Sequence, residues 1–189
     1  FYYDYTDLQL RSALFTDTTI DIRVTNAARA SIKGLELSSM FDLTPAVSVD
    51  LNGAYIDSEL KRFVSPVTHT ELSGLPIPLT PKWSLTAGLH VNVPVLGDDK
   101  LTARVETNYQ SSVNFPQFTD LTRERQKGFA LLNANLRYDL PGDKIYIARI
   151  GRNLTGKRYL TQRFFFEGFA DTEFYGAPRT VEARLGFKF

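Results

Sequence analysis

Trp83, Leu85, Ala87, Leu89, Val91, Val93 and Val95 occupy one parity of a continuous run, with Ser84, Thr86, Gly88, His90 and Asn92 on the other. Successive side chains of a strand point to opposite faces, so this stretch carries one apolar and one polar face. The pattern recurs along the chain, and the second parity often carries charge. Leu35, Leu37, Phe41 and Leu43 oppose Glu36, Ser38 and Asp42, and Val47, Val49, Leu51 and Tyr55 oppose Ser48, Asp50 and Asn52. Leu101, Ala103, Val105, Thr107 and Tyr109 oppose Thr102, Arg104, Glu106, Asn108 and Gln110. Ala130, Leu132, Ala134, Leu136, Tyr138 and Leu140 oppose Asn133, Asn135, Arg137 and Asp139, and Val181, Ala183, Leu185, Phe187 and Phe189 oppose Glu182, Arg184, Gly186 and Lys188. No helical period competes. Strands with one greasy and one charged face suit a wall between lipid and a wet lumen.

Composition narrows the alternatives. Lys and Arg total 22 against 21 Asp and Glu, a formal charge of +1, and no basic cluster carries interleaved aromatics, so no nucleic-acid partner is expected. Cysteine is absent, which excludes a disulfide scaffold and any thiolate site. The mean hydropathy is −0.20. With no apolar run near ~18 residues, a membrane-spanning helix is excluded. A membrane barrel is not, because half of each strand faces water.

Taken in order, the chain predicts an all-β, antiparallel up-and-down transmembrane β-barrel wall of about eight strands, each roughly ten residues long. Residues 1–14 are strand-like, with a bulge at Thr6 and Asp7 needed to reconcile Tyr3 and Tyr5 with Leu8 and Leu10. A polar turn is expected at residues 16–19, and Ile20, Ile22 and Val24 then restart the alternation. Residues 144–152 form a weaker strand, where Ile145 and Ile147 compete with Tyr146, Ala148 and Ile150 for the apolar face. Short turns at 44–46, 96–99 and 141–143 alternate with long connections near 15–27, 60–81, 111–127 and 153–176. Outer-membrane barrels have short periplasmic turns and long extracellular loops, which puts the C-terminus on the periplasmic side. Aromatics follow the same division: Tyr55, Trp83 and Tyr109 fall at loop ends, and Phe41, Tyr138, Tyr146, Phe187 and Phe189 at turn ends, as two interfacial girdles. A soluble sandwich with aromatic core residues is the competing reading.

Five stretches carry a family resemblance: residues 5–10 (YTDLQL), 26–36 (NAARASIKGLE), 74–81 (GLPIPLTP), 153–159 (NLTGKRY) and 175–180 (YGAPRT), with Phe189 at the close. In this order and spacing they resemble the C-terminal part of the barrel of a TonB-dependent outer-membrane receptor. The resemblance implies that residues 1–189 are about eight strands of a 22-stranded barrel, with the plug domain and N-terminal strands upstream. It implies outer-membrane lipid around the wall, a TonB energy-transducing complex acting through the plug, and barrel-assembly machinery reading Phe189. Typical cargo is a ferric siderophore, haem, cobalamin or carbohydrate, with a ferric siderophore leading. A passive channel or a small structural or adhesion barrel is the alternative. Neither is an enzyme, and no catalytic residue, cofactor or metal site is expected.

Ligand contacts, on this reading, come from the long loops. Tyr159, Arg163, Phe164, Phe165, Phe166, Phe169, Phe174 and Tyr175, with Arg158 nearby, are the densest group. Aromatics beside arginines suit flat anionic or catecholate-like ligands through stacking and cation–π contact. Packing of loop on loop suits the same residues better. Arg123, Arg125 and Lys127 form a second group, or a solvated loop face. His69 in a loop is a haem-ligand candidate without the flanking signature, and His90 reads as a lumen residue. Arg104, Glu106, Arg137, Glu182 and Arg184 read as wall charges that hold a plug, rather than as an acid–base pair.

Overall fold

The structure, a computed structural model, describes residues 1–15, 20–65, 69, 71–116, 123–166 and 170–187. Its strands are β1 (Tyr2–Phe15), β2 (Ile20–Thr44), β3 (Val47–Arg62), β4 (Trp83–Pro94), β5 (Lys100–Gln110), β6 (Val113–Asn114), β7 (Arg125–Gln126), β8 (Phe129–Asp139), β9 (Ile145–Arg152), β10 (Leu160–Phe166), β11 (Ala170–Tyr175) and β12 (Thr180–Phe187). Eight of them form one sheet in the order β1-β2-β3-β4-β5-β8-β9-β12. Every pairing is antiparallel, as the all-β up-and-down reading requires. The sheet is open, with β1 and β12 at its edges. The pairs β6-β7 and β10-β11 lie within long connections.

Register fixes which parity faces which way. Val91, Leu89 and Trp83 sit opposite Val47, Val49 and Tyr55, and Leu89 also opposes Val105. Val105 opposes Ala134, Leu101 opposes Tyr138, and Tyr138 opposes Ile147, which in turn opposes Leu185. One face is therefore apolar across the sheet and open to its surroundings: Leu35, Leu37, Leu43, Leu85, Leu136, Val181 and Leu185 are all exposed. At its loop end, Tyr55 and Trp83 pack at 4.7 Å between centroids.

Two expectations change. The connection expected at 15–27 is mostly strand: β2 begins at Ile20, which pairs with Phe15, and runs on to Thr44. The alternation of Ile20, Ile22 and Val24 is thus the start of one long strand, and only the turn expected at 16–19 lies outside the described residues. The bulge expected near Thr6 and Asp7 is present as a register shift between Tyr5 and Leu8. Tyr146 leaves the turn-end girdle. It opposes Asp139 and Gly186 on the polar face, and the Arg137 guanidinium lies 3.7 Å above its ring. Sequence alone left β9 ambiguous because both parities are apolar; pairing with β8 and β12 selects Ile145 and Ile147 as the outward pair. The 141–143 turn is a short 3-10 segment, with Gly142 at φ 78°. Phe189, expected in the turn-end girdle, lies outside the described residues.

The polar face is a hydrogen-bonded wall. His90 Nε2 lies 2.5 Å from Asp50 Oδ1 and 2.6 Å from Arg104 Nη1, so either ring tautomer finds a partner. Arg104 continues to Glu106, which accepts from Asn108 at 2.7 Å, and Thr86 donates to Asn108 at 2.9 Å. Asp50 lies directly over Gly88, where a Cβ would meet its carboxylate at 2.3 Å. At the loop end of the same face a small apolar cluster of Ala30, Leu60, Phe63 and Leu72 is buried, with Leu8, Leu10, Leu75 and Ile77 against it.

The two faces respond differently to charge. Leu89→Arg in the complete barrel is expected to cost about 2–4 kcal/mol near the centre of the lipid band. Ser84→Lys on the opposite face is expected to cost under about 0.5 kcal/mol. Urea unfolding in liposomes measures both, and equal costs would refute the assignment of faces.

Candidate ligand-binding site

The long connection after β9 is built from two of the motifs singled out in the sequence. Asn153, with φ 48°, is buried where the strand ends. Its Oδ1 accepts from the Lys157 amide at 2.8 Å, and its Nδ2 donates to the carbonyls of Lys157 at 2.9 Å and Ala177 at 3.1 Å. One side chain thus closes the turn and ties the beginning of the connection to its end. Asn tolerates the left-handed conformation through such local hydrogen bonds. The Tyr159 amide region is tied back as well: Gly176 N donates to Tyr159 O at 2.9 Å. The Tyr159 ring stacks on Phe129 at 4.4 Å and lies against Gly176, where any Cβ would collide with it.

Above this base stands the β10-β11 hairpin. Arg163 makes a two-pronged pair with Asp171, at 3.0 and 2.7 Å, and reaches Glu173 at 3.1 Å and the Arg123 carbonyl at 3.3 Å. The Arg163 guanidinium holds the Asp171 carboxyl below its ordinary range. Arg123 covers the Phe165 ring at 4.5 Å, and Arg158 covers Tyr175 at 4.6 Å. Glu173 accepts from the Tyr175 hydroxyl, which raises the pKa of that phenol. Gln126 joins the neighbouring connection by accepting from Leu160 N at 2.6 Å. On the other hairpin face Phe164 and Phe174 meet edge to face at 6.0 Å, and Phe174 and Tyr175 are about half exposed, at 47% each. The backbone of Phe166 closes β10 opposite Ala170. Phe169 lies outside the described residues.

The group read from the sequence therefore divides. Tyr159, Arg163 and Phe165 hold the loops together, while Phe164 and Phe174 pair on one hairpin face and Tyr175, beneath Arg158, is half exposed on the other. In the second group, Arg125 donates to Ser112 at 2.6 Å, and Lys127 is exposed. Arg125 also borders a cavity of about 470 Å³ that sequence reading missed, formed with Ile56, Ser58, Ile77, Thr80 and Lys82. Its signal was the 74–81 stretch, a proline-stiffened segment clipped to the sheet by Leu60 N to Leu75 O at 2.8 Å and Ile77 N to Ser58 Oγ at 3.2 Å. His69 is exposed and donates its amide to Ser65 O. Among the described residues no group of three or more His, Asp or Glu side chains is arranged to hold a metal ion.

Comparison with known proteins gives the same architecture. Residues 1–157 match the family model for the TonB dependent receptor-like β-barrel. The ferric yersiniabactin uptake receptor FyuA from Yersinia pestis is 23% identical with a TM-score of 0.73, over 88% of this chain and 25% of that one. The siderophore receptor PiuA from Acinetobacter baumannii is 19% identical with a TM-score of 0.71, over 100% of this chain and 25% of that one. The copper transporter OprC is 19% identical with a TM-score of 0.70, over 100% and 28%. The chain thus spans about a quarter of these structures. No curated protein matches it by sequence.

Two outcomes check the loop architecture. Asn153→Ala removes three buried hydrogen bonds and puts alanine at a left-handed position, for an expected loss of about 3 kcal/mol in unfolding experiments. The Asp171 carboxyl has a depressed folded-state pKa, so its contribution is present above the ordinary Asp range and is lost as pH falls through the folded value. Amide exchange in β10-β11 is expected to accelerate below about pH 4. Arg163→Gln should abolish that pH dependence.

Proposed function

The chain belongs to the TonB-dependent receptor family, and on that premise we propose that it forms part of an outer-membrane receptor for energised uptake of a ferric siderophore. In this reading the apolar face meets outer-membrane lipid, the short turns and the C-terminus lie on the periplasmic side, and the long connections lie outside the cell. The polar wall of Asp50, His90, Arg104 and Glu106 faces a plug on which the TonB complex pulls. Phe189 serves recognition by the barrel-assembly machinery.

One observation carries the choice of ligand class. The β10-β11 hairpin is braced by internal ion pairs, which hold Tyr175 with the Arg158 cation on one face and Phe164 with Phe174 on the other as preformed, partly exposed aromatic surface. A rigid aromatic and cationic surface suits a flat, anionic iron chelate, and its rigidity limits the entropy lost on binding. The siderophore receptors among the similar structures support the same class.

In a strain lacking the gene, the complete protein is expected to restore uptake of radiolabelled iron from at least one member of a siderophore panel under iron limitation. Phe174→Ala together with Tyr175→Ala is expected to weaken that ligand about tenfold in cell-binding assays, with barrel assembly unchanged. Iron uptake indifferent to the gene across the whole panel would remove the siderophore reading.

A further inference from the structure

Arg149 breaks the apolar face. On β9 it stands opposite Leu136 of β8 and Ala183 of β12, which places it in the same outward row as Ile147, Leu185 and Val181. It is exposed, and among the described residues no acidic side chain pairs with it. An arginine on a lipid-facing strand near the middle of the hydrocarbon costs about 2–4 kcal/mol, a cost that falls towards the interface. Arg149 lies four residues from Ile145, where β9 leaves its turn. At ~3.4 Å per residue and a tilt of ~40°, its Cα is about 10 Å above the turn-end boundary of a band ~25 Å tall. Its long stem can carry the guanidinium back towards that boundary.

Beside it the outer surface is hollowed. Beside the small side chains of Ala103 and Ala134 lies a depression of about 380 Å³ bordered by Val105, Leu136, Leu154 and Val181, with the Leu154 side chain lying over Gly151. Gly151 opposes Ala134 and Val181, one row further from the turn than Arg149. The cation thus sits at the turn-side end of an apolar groove. That order matches a phospholipid of the turn-side leaflet, with its phosphate at the boundary and an acyl chain running towards the midplane. Charge decides among occupants: a guanidinium pairs bidentately with phosphate, its directly opposed neighbours Leu136 and Ala183 are apolar, and the Tyr138 hydroxyl on the same outward row of β8 is already bound to Asp99.

We propose that Arg149 and the adjoining groove form a site for one anionic phospholipid of the phosphatidylglycerol type on the outer wall of the barrel. The proposal rests on the reading of the odd-numbered face of β9 as lipid-facing. The complete receptor, purified in mild detergent and supplied with phosphatidylglycerol, is expected to retain one lipid in native mass spectrometry. Arg149→Leu should reduce retention about tenfold, Arg149→Lys should keep part of it, and Ala134→Leu, which fills the groove and leaves the cation, should also release the lipid. Equal retention by wild type and Arg149→Leu overturns the proposal, as does preferential retention of lipid A. A second copy of the chain on this face, seen as a dimer lost in Arg149→Leu, overturns it as well. A nitroxide on Leu185→Cys separates the two levels. If it is inaccessible to lipid-dissolved oxygen, the face assignment itself fails; if it is accessible, a negative lipid result counts against the site alone.

Discussion

Hydrocarbon offers no hydrogen-bond partner, so a backbone crossing it must satisfy every N–H and C=O within the protein. A sheet does this only through unbroken ladders between neighbouring strands. From β3 to β12 the main ladders run without a register shift, and the irregularities of the large sheet gather in β1 and at two points of β2. Because a slip of one residue would turn every lipid-facing side chain inward, this fixed register and the alternation of the sequence are a single constraint. The short turns, the girdle of Tyr55 and Trp83, and the polar inner wall all depend on it.

The inner wall shows how so many polar groups can coexist on one surface. Charged side chains there engage neighbours on the same or the next strand, as in Asp50–His90–Arg104–Glu106 and Arg137–Asp139. Glycines make room for this: Gly88 lies beneath Asp50, and Gly186 beneath the Tyr146 ring. A wall of this kind is wet, charged and self-satisfied, so another polar body can lie against it without leaving unpaired groups behind. Among the described residues of β4, β5, β8, β9 and β12 the outward row carries no such system of charges, which is why Arg149 stands out there.

The loops follow a different economy. Asn153 and Tyr159, together with Gly176, turn a long connection into a braced base, and Arg163 locks the hairpin above it. Residues that look like ligand chemistry in a list of letters are here largely the means of holding aromatic surface in place. Tyr159 and Arg163 illustrate the point, since a stacking ring and a forked cation serve a loop as readily as a ligand.

Alternation alone established the all-β class, the eight-stranded wall, the positions of the short turns and the outward parity of β4, β5, β8 and β12, because side-chain direction in a strand depends only on residue count. It failed where both parities are apolar. Ile145 to Ile150 carry no preference of their own, and the outward placement of Ile147 and Arg149, with Tyr146 turned inward onto Gly186, came from pairing with β8 and β12. The continuation of β2 back to Ile20 was likewise decided by its partner β1. The division of the loop aromatics into packed and exposed, and the hollow beside Arg149, arise from residues far apart in the chain. A local pattern records which way a side chain points; only the assembled sheet and loops decide what it meets.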